Sequence, residues 1–211
     1  MKRISKERFF GFASGVIFTI IFCDLVMFVY NVFILKSVDV NSILSFVLNT
    51  LFYIFIARDF SRAKENISFA HYGITALIIC DFIFPLIFNF GLVSLLFINF
   101  DIGAWLTILP LIAGVIYFIG ICIFNRKHNR TSFVLMIVCG AIMAVCSVSS
   151  LVVETIFLSE EFKSLLSIDA DVFSLIMSAI YLFISYVSIV GTSLLSFVFF
   201  GYPFELKKEI Y

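Results

Sequence analysis

Two acids lie where the sequence is otherwise hydrocarbon. Asp24 falls inside the apolar run from Phe9 to Leu35, and Asp81 near the middle of Phe69 to Phe90, FAHYGITALIICDFIFPLIFNF. An ionised carboxylate at the centre of a bilayer costs at least ~2.5 kcal/mol, so each acid must face protein or water. Three chemistries are open to such a pair. The carboxyls can be protonated and donate hydrogen bonds, with Asn31, Asn49 and Asn89 as acceptors. They can share a proton or bind a cation, or they can line a wet cavity. No Lys or Arg lies inside an apolar stretch to neutralise them. Asp24, Asp81, Asn31, Asn49 and Asn89 are therefore the candidate substrate-binding or cation-binding residues.

The two acids share a depth. Asp24 follows Arg8 by sixteen residues and Asp81 follows Glu65 by sixteen, so two helices running the same way place both carboxyls at one level. Ile21-Phe22-Cys23-Asp24 with Asn31 following also echoes Ile79-Cys80-Asp81 with Asn89 following. This internal similarity is compatible with a duplicated hairpin and too faint to define a repeat.

The elements that must position these acids follow from composition. Of 211 residues, 63% are hydrophobic and 13% charged, with twenty-nine Phe, against roughly 25% charged in soluble domains. The mean hydropathy is +1.17. A soluble domain of this size cannot bury that much apolar surface in one core, so the lipid bilayer is the expected solvent. Zero net charge without a dense basic patch argues against nucleic acid as a partner.

Six apolar spans can be drawn, at 9–35, 41–57, 69–90, 103–124, 133–158 and 173–200. They predict an all-α membrane protein, a six-transmembrane-helix bundle forming a single polytopic domain over 1–211. The second span is short and starts near Asn41. Pro85 or Gly91 is expected to bend or end the third. The charged start MKRISKER resembles a secretory leader, but the apolar run after it is too long and lacks a small-residue cleavage site. It reads as a retained first span.

Orientation follows from the basic residues. With the N-terminus inside, Lys2, Arg3, Lys6, Arg8, Arg58, Arg62, Lys64, Arg126, Lys127, Arg130, Lys207 and Lys208 are cytoplasmic, twelve of the fourteen Lys and Arg. Only Lys36 and Lys163 fall outside, so both termini are expected in the cytoplasm. The sequons at Asn66 and Asn129 then lie in inner loops and carry no glycan. The outer segment 159–172 spaces Phe162, Leu165 and Leu166 for a short interfacial helix, with a solvated connector as the equal alternative. The short loops and the lack of an extramembrane domain favour a bacterial cytoplasmic membrane within the broader class of cell membranes.

At 100° per residue each span gathers small and polar residues on one arc. Ala13, Asp24 and Asn31 align on the first, and Ser42, Ser45, Asn49 and Tyr53 on the second. Gly103, Thr107, Pro110, Gly114 and Tyr117 align on the fourth. Gly140, Ala144, Ser147 and Glu154 align on the fifth, and Ser174, Ser178, Ser185, Ser188, Thr192 and Ser196 on the sixth. Close helix packing accounts for most of these small residues, and Gly11, Gly15, Gly140, Ala144, Ser185 and Ser188 are the packing candidates. Glu154 lies about 36 Å along its helix from Arg130, at the outer interface, where it is expected to be solvated. His71 and His128 read as interfacial polar residues, and Trp105 and Tyr72 as interfacial anchors.

The five cysteines all lie in apolar stretches without a C-x-x-C pair, and they read as free thiols. No metal site and no cofactor is expected. The spans contain no nucleophile elbow and no H-E-x-x-H, so the chain is not expected to be an enzyme. Two classes remain. One is a small-solute or ion transporter, or the membrane subunit of one, built on the buried acids. The other is a non-transporting assembly, regulatory or immunity protein that works by helix association, with other membrane subunits as partners.

Overall fold

The computed structural model describes residues 6–35, 40–63, 66–83, 102–127, 130–166 and 172–210. The described chain is nearly all helical, with six α-helices: α1 (Lys6–Tyr30), α2 (Val40–Arg62), α3 (Ile67–Ile78), α4 (Ile102–Lys127), α5 (Arg130–Leu166) and α6 (Val172–Ile210). The all-α class is as expected. Lys6–Phe33, Arg130–Ser164 and Val172–Lys207 are long and apolar enough to cross a membrane.

Two π-helical turns continue helices past their α-helical ends, Asn31–Leu35 after α1 and Ile79–Ile83 after α3. The second contains Asp81. Proline chemistry supplies a motive, because Pro85 has no N–H to offer the carbonyl four residues back, which belongs to Asp81. Pro85, Asn89 and Gly91 themselves lie outside the described residues. Neither a separate interfacial helix nor a solvated connector begins at 159: α5 runs on as one helix through Leu166. No Gly or Pro occurs from Ala141 to Leu166 to stop it, and Glu160, Glu161 and Lys163 are good helix formers. At 37 and 39 residues, α5 and α6 are about 55 Å long or more, which exceeds the hydrocarbon layer.

The helices pack in chain order and close into a ring, with α6 returning against α1. Every neighbour pair runs antiparallel. Phe10 stacks near Phe60 and Phe28 on Phe46, which fixes α1 against α2. Phe133 meets Phe204 at one end of the α5/α6 pair, while Ser147 meets Ser196 further along. Tyr30 tilts against Tyr181, fixing α1 against α6. The start of α1 and the end of α6 therefore share one end of the ring with Arg58, Arg62, Arg130 and Lys207. There Arg62 lies over the Phe69 ring and Lys207 over Phe133, so the cationic heads cap aromatic faces.

This basic end is the tightly packed one. Phe10, Phe60, Tyr117, Tyr202, Ile74, Leu77 and Met136 are wholly buried. Glycines set the close approaches. A Cβ on Gly140 would sit 2.9 Å from the Phe199 carbonyl oxygen, and one on Gly191 would sit 2.8 Å from Ile20. Of the expected packing residues, Gly140, Ala144 and Ser188 are buried and Ser185 is half-buried. Gly11 is half-buried, and Gly15 faces open space with nothing within 4 Å of a Cβ. Outside the ring, Phe12, Phe18 and Phe22 on α1, Val145 and Phe157 on α5 and Phe183 on α6 are exposed. A soluble surface rarely carries so continuous an apolar coat.

Pro203 is inside α6 and cannot donate to the Phe199 carbonyl four residues back. The buried Tyr117 hydroxyl donates to that oxygen at 2.7 Å instead, tying α4 to α6. Tyr117→Phe should remove this bond and cost about 1–3 kcal/mol, read by denaturant unfolding of the detergent-purified chain. Adding Pro203→Ala restores a helical N–H and should recover most of that loss. An undiminished deficit in the double variant would show that the phenol does not replace the missing donor.

Candidate functional site

Asp81 is presented by the π turn that follows α3, where the wider turn rotates its side chain out of α-helical register. The Tyr53 hydroxyl of α2 donates to Asp81 Oδ1 at 2.9 Å. Both residues line a cavity of about 520 Å³ inside the ring, whose walls come from five helical elements. Pro110 of α4 contributes, with Cys146, Ser147, Ser150 and Glu154 of α5 and Ile189, Thr192, Ser193 and Ser196 of α6. Cys80 completes the lining beside Asp81.

The α5/α6 wall is fixed by hydroxyls. Ser147 and Ser196 share a hydrogen bond at 2.5 Å, and Ser193 donates to the Ser147 carbonyl at 3.3 Å. These bonds hold part of the polar arc of each helix against the other, and the remaining hydroxyls of Ser150 and Thr192 also face the cavity.

The cavity is blind towards the basic end. One turn further along from its lining, α3 offers Leu77, α4 Ala113, α5 Met143 and α6 Phe199, each 3% exposed or less. Beyond them Tyr117 and Tyr202 are sealed in, the latter hydrogen-bonded to Nδ1 of His71 on α3. In the other direction lies Glu154, an exposed residue two helical turns beyond Ser147. Among the described residues the site is thus a recess of mixed polar and apolar lining, with Asp81 at depth and the exposed Glu154 on the side away from the basic end.

The residues expected to act together are only partly together. Asp24 is half-buried on α1 and is not on the cavity lining; it accepts a hydrogen bond from Ser188 of α6 at 3.3 Å. Tyr53 bonds Asp81, and Asp24 is held instead by Ser188. Asn31 opens the first π turn and is half-buried. Asn49 departs from expectation: it is exposed on α2, one turn before Tyr53, and does not line the cavity. Helical spacing places it near the Tyr53 face, but α2 is already exposed at Val47, Leu48 and Leu51 around it. Asn89 and His128 lie outside the described residues.

His71 is half-buried and bonded into the sealed end instead of standing free at an interface. Tyr53, Ser147, Ser150, Cys80 and Cys146 emerge as site residues beyond the acids and asparagines expected. Part of the signal for them is in the sequence, because Tyr53 and Ser147 lie on the polar arcs. The sequon at Asn66 has a structural role, since its side chain accepts from the Ser68 N–H at 2.9 Å and caps α3. No family model matches the chain, and neither a curated protein nor a solved structure does.

The Tyr53 to Asp81 bond is measurable. Tyr53→Phe and Asp81→Ala, alone and combined, should give a coupling of roughly 0.6–1.7 kcal/mol in unfolding of the detergent-solubilised protein, the range of membrane-helix hydrogen bonds. Strictly additive effects would mean that the phenol and carboxylate do not interact.

Proposed function

We propose that the chain is a six-span, multi-pass protein of the cell membrane that binds a small solute or ion in the recess above Asp81, as a transporter or the membrane subunit of one. The observation that carries this reading is a cavity of about 520 Å³ with a deep carboxylate, inside a ring whose outer surface is apolar. Recesses of this size hold small ligands, which typically occupy ~300–1,000 Å³. A carboxylate at the depth of Asp81 also has an energetic cost in hydrocarbon that a purely architectural role does not explain.

The orientation draws on two independent features. Twelve of fourteen Lys and Arg fall in alternate loops, and the antiparallel ring gathers the helix ends that bear them. With that end cytoplasmic, both termini are inside and the recess opens outward. Reporters fused at either terminus should be active only in the cytoplasm, and a glycan acquired at Asn66 or Asn129 would overturn the assignment.

A second reading, lateral association without transport, is favoured by the open face at Gly15. The two separate in one assay. In proteoliposomes on a solid-supported membrane, an outside pulse from a panel of inorganic and organic cations should evoke a current that Asp81→Asn removes and Asp24→Asn reduces. Currents unchanged in both variants would sink the transporter reading, as would silence of the wild type. Gly15→Leu should leave that current intact, whereas under the association reading it would break a copurifying complex.

A further inference from the structure

Resting on the reading of the recess as a solute site, we infer that its ligand is an organic ammonium cation: a small amine whose charged nitrogen meets Asp81 and whose carbon body lies against Pro110 and Ile189.

Sign comes first. Among the described residues, the twelve that line the recess include Asp81 and Glu154 and no Lys, Arg or His. An anion would meet two uncompensated carboxylates, and a neutral solute would leave the deep one without a counter-charge, whereas a cation neutralises it where Coulomb forces are least screened. Glu154, exposed at the mouth, adds a field that draws cations inward.

Size and donor set distinguish among cations. Calcium takes 6–8 oxygens at 2.3–2.6 Å, and transition metals require several converging side-chain donors. Among the described residues no three His, Cys, Asp or Glu side chains gather as metal ligands would. The recess, at about 520 Å³, is also far larger than a bare ion needs. An ammonium group asks for less: a carboxylate and one or two hydroxyl acceptors around N–H donors that point outward from carbon.

The walls are mixed in the way an amine requires. Ser150, Thr192 and Ser193 offer hydroxyls, while Pro110, Ile189 and the thiols of Cys80 and Cys146 offer apolar surface. Tyr53 occupies one lone pair of Asp81 Oδ1, and a carboxylate has about four acceptor sites. Asp81 therefore keeps capacity for a ligand, and Tyr53 is a positioning residue that fixes the direction in which the carboxylate faces.

The cavity carries its own reporters. Of the five cysteines only Cys80 and Cys146 line it, so Cys23→Ala, Cys122→Ala and Cys139→Ala together leave thiols only in the recess. This full-length protein, in sealed vesicles with the outer face exposed, is treated with a trimethylammonium methanethiosulfonate and with its sulfonate counterpart, each rate normalised to a free thiol in solution. The cationic reagent should react at least about tenfold faster, the low end of field-focused rate gains. Asp81→Asn should remove most of that preference, and Glu154→Gln, at the exposed mouth where folding is not at stake, should reduce it. Butylammonium and tetramethylammonium chloride should slow labelling, while sodium or calcium chloride at equal ionic strength should not. Equal rates for the two reagents, or protection by sodium or calcium matching that by the amines, would overturn the ammonium assignment and leave an open solute site. If neither reagent reaches either thiol until the protein is denatured, the open recess itself is refuted, and the underlying reading falls with it.

Discussion

A carboxyl group in the middle of an apolar helix has to be given a partner and a route to water, and Asp81 receives both from other helices. Its hydrogen bond comes from Tyr53 on α2, and its access comes from the recess walled by α4, α5 and α6. One membrane hydrogen bond contributes about 0.6 kcal/mol on average, far less than the cost of a charge facing hydrocarbon. The cavity, more than the bond, makes Asp81 tolerable there. The π turn belongs to the same solution, since it points the residue into the ring at the level where the α5 and α6 hydroxyls are already paired.

The ring has two unlike halves, and the difference lies in what its helices have to offer each other. Towards the basic end, glycines at 73, 120, 140 and 201 bring helices close enough for a neighbouring group to lie within 3.0 Å of where a Cβ would be, and Gly191 does the same against Ile20 at the level of the recess. Without a hydrophobic driving force between helices in lipid, such backbone proximity is what dispersion and hydrogen bonding act through. Towards the other end, α5 from Val152 to Phe157 and α6 from Val172 to Ser174 are exposed. The recess is bounded below by the buried layer of Leu77, Ala113, Met143 and Phe199 and not by any single gating residue.

Much of this architecture is legible in the sequence alone, and the failures have identifiable causes. The cores of α1, α4 and α6 follow from uninterrupted apolar runs, and the polar arcs of the fifth and sixth spans do meet, Ser147 against Ser196. A periodicity names a face of a helix without naming what stands opposite. Asn49 and Tyr53 are one turn apart on one arc, yet only Tyr53 has a neighbour to bond. Gly15 and Gly140 look alike as sequence, but only Gly140 has a backbone against it. Equal spacings predict one depth for Asp24 and Asp81, but helical spacing alone does not carry through the turn at Ile79–Ile83. One residue inserted into a turn rotates all later positions by about 100°, so an arc projected from Phe69 loses its meaning at Asp81.

On the proposed reading, the sealed end constrains how a solute at Asp81 would pass to the basic side. Two hydrogen bonds cross the seal to α6, from Tyr117 on α4 to the Phe199 carbonyl and between Tyr202 and His71 on α3. Both reach α6 from across the ring, whereas the α5 contact through Gly140 and the α1 contacts through Gly191 and Gly201 run along its flanks. Opening the inner side would therefore separate α6, with α1 and α5 beside it, from α3 and α4. The hydrogen bonds resist this by about 0.5–1.5 kcal/mol each. Pro203 lies at the point where such a motion would bend α6, because the helix lacks one backbone bond there and its stiffness is borrowed from Tyr117. Release of that phenol would loosen the seal and the helix together, so the two changes are coupled through a single side chain.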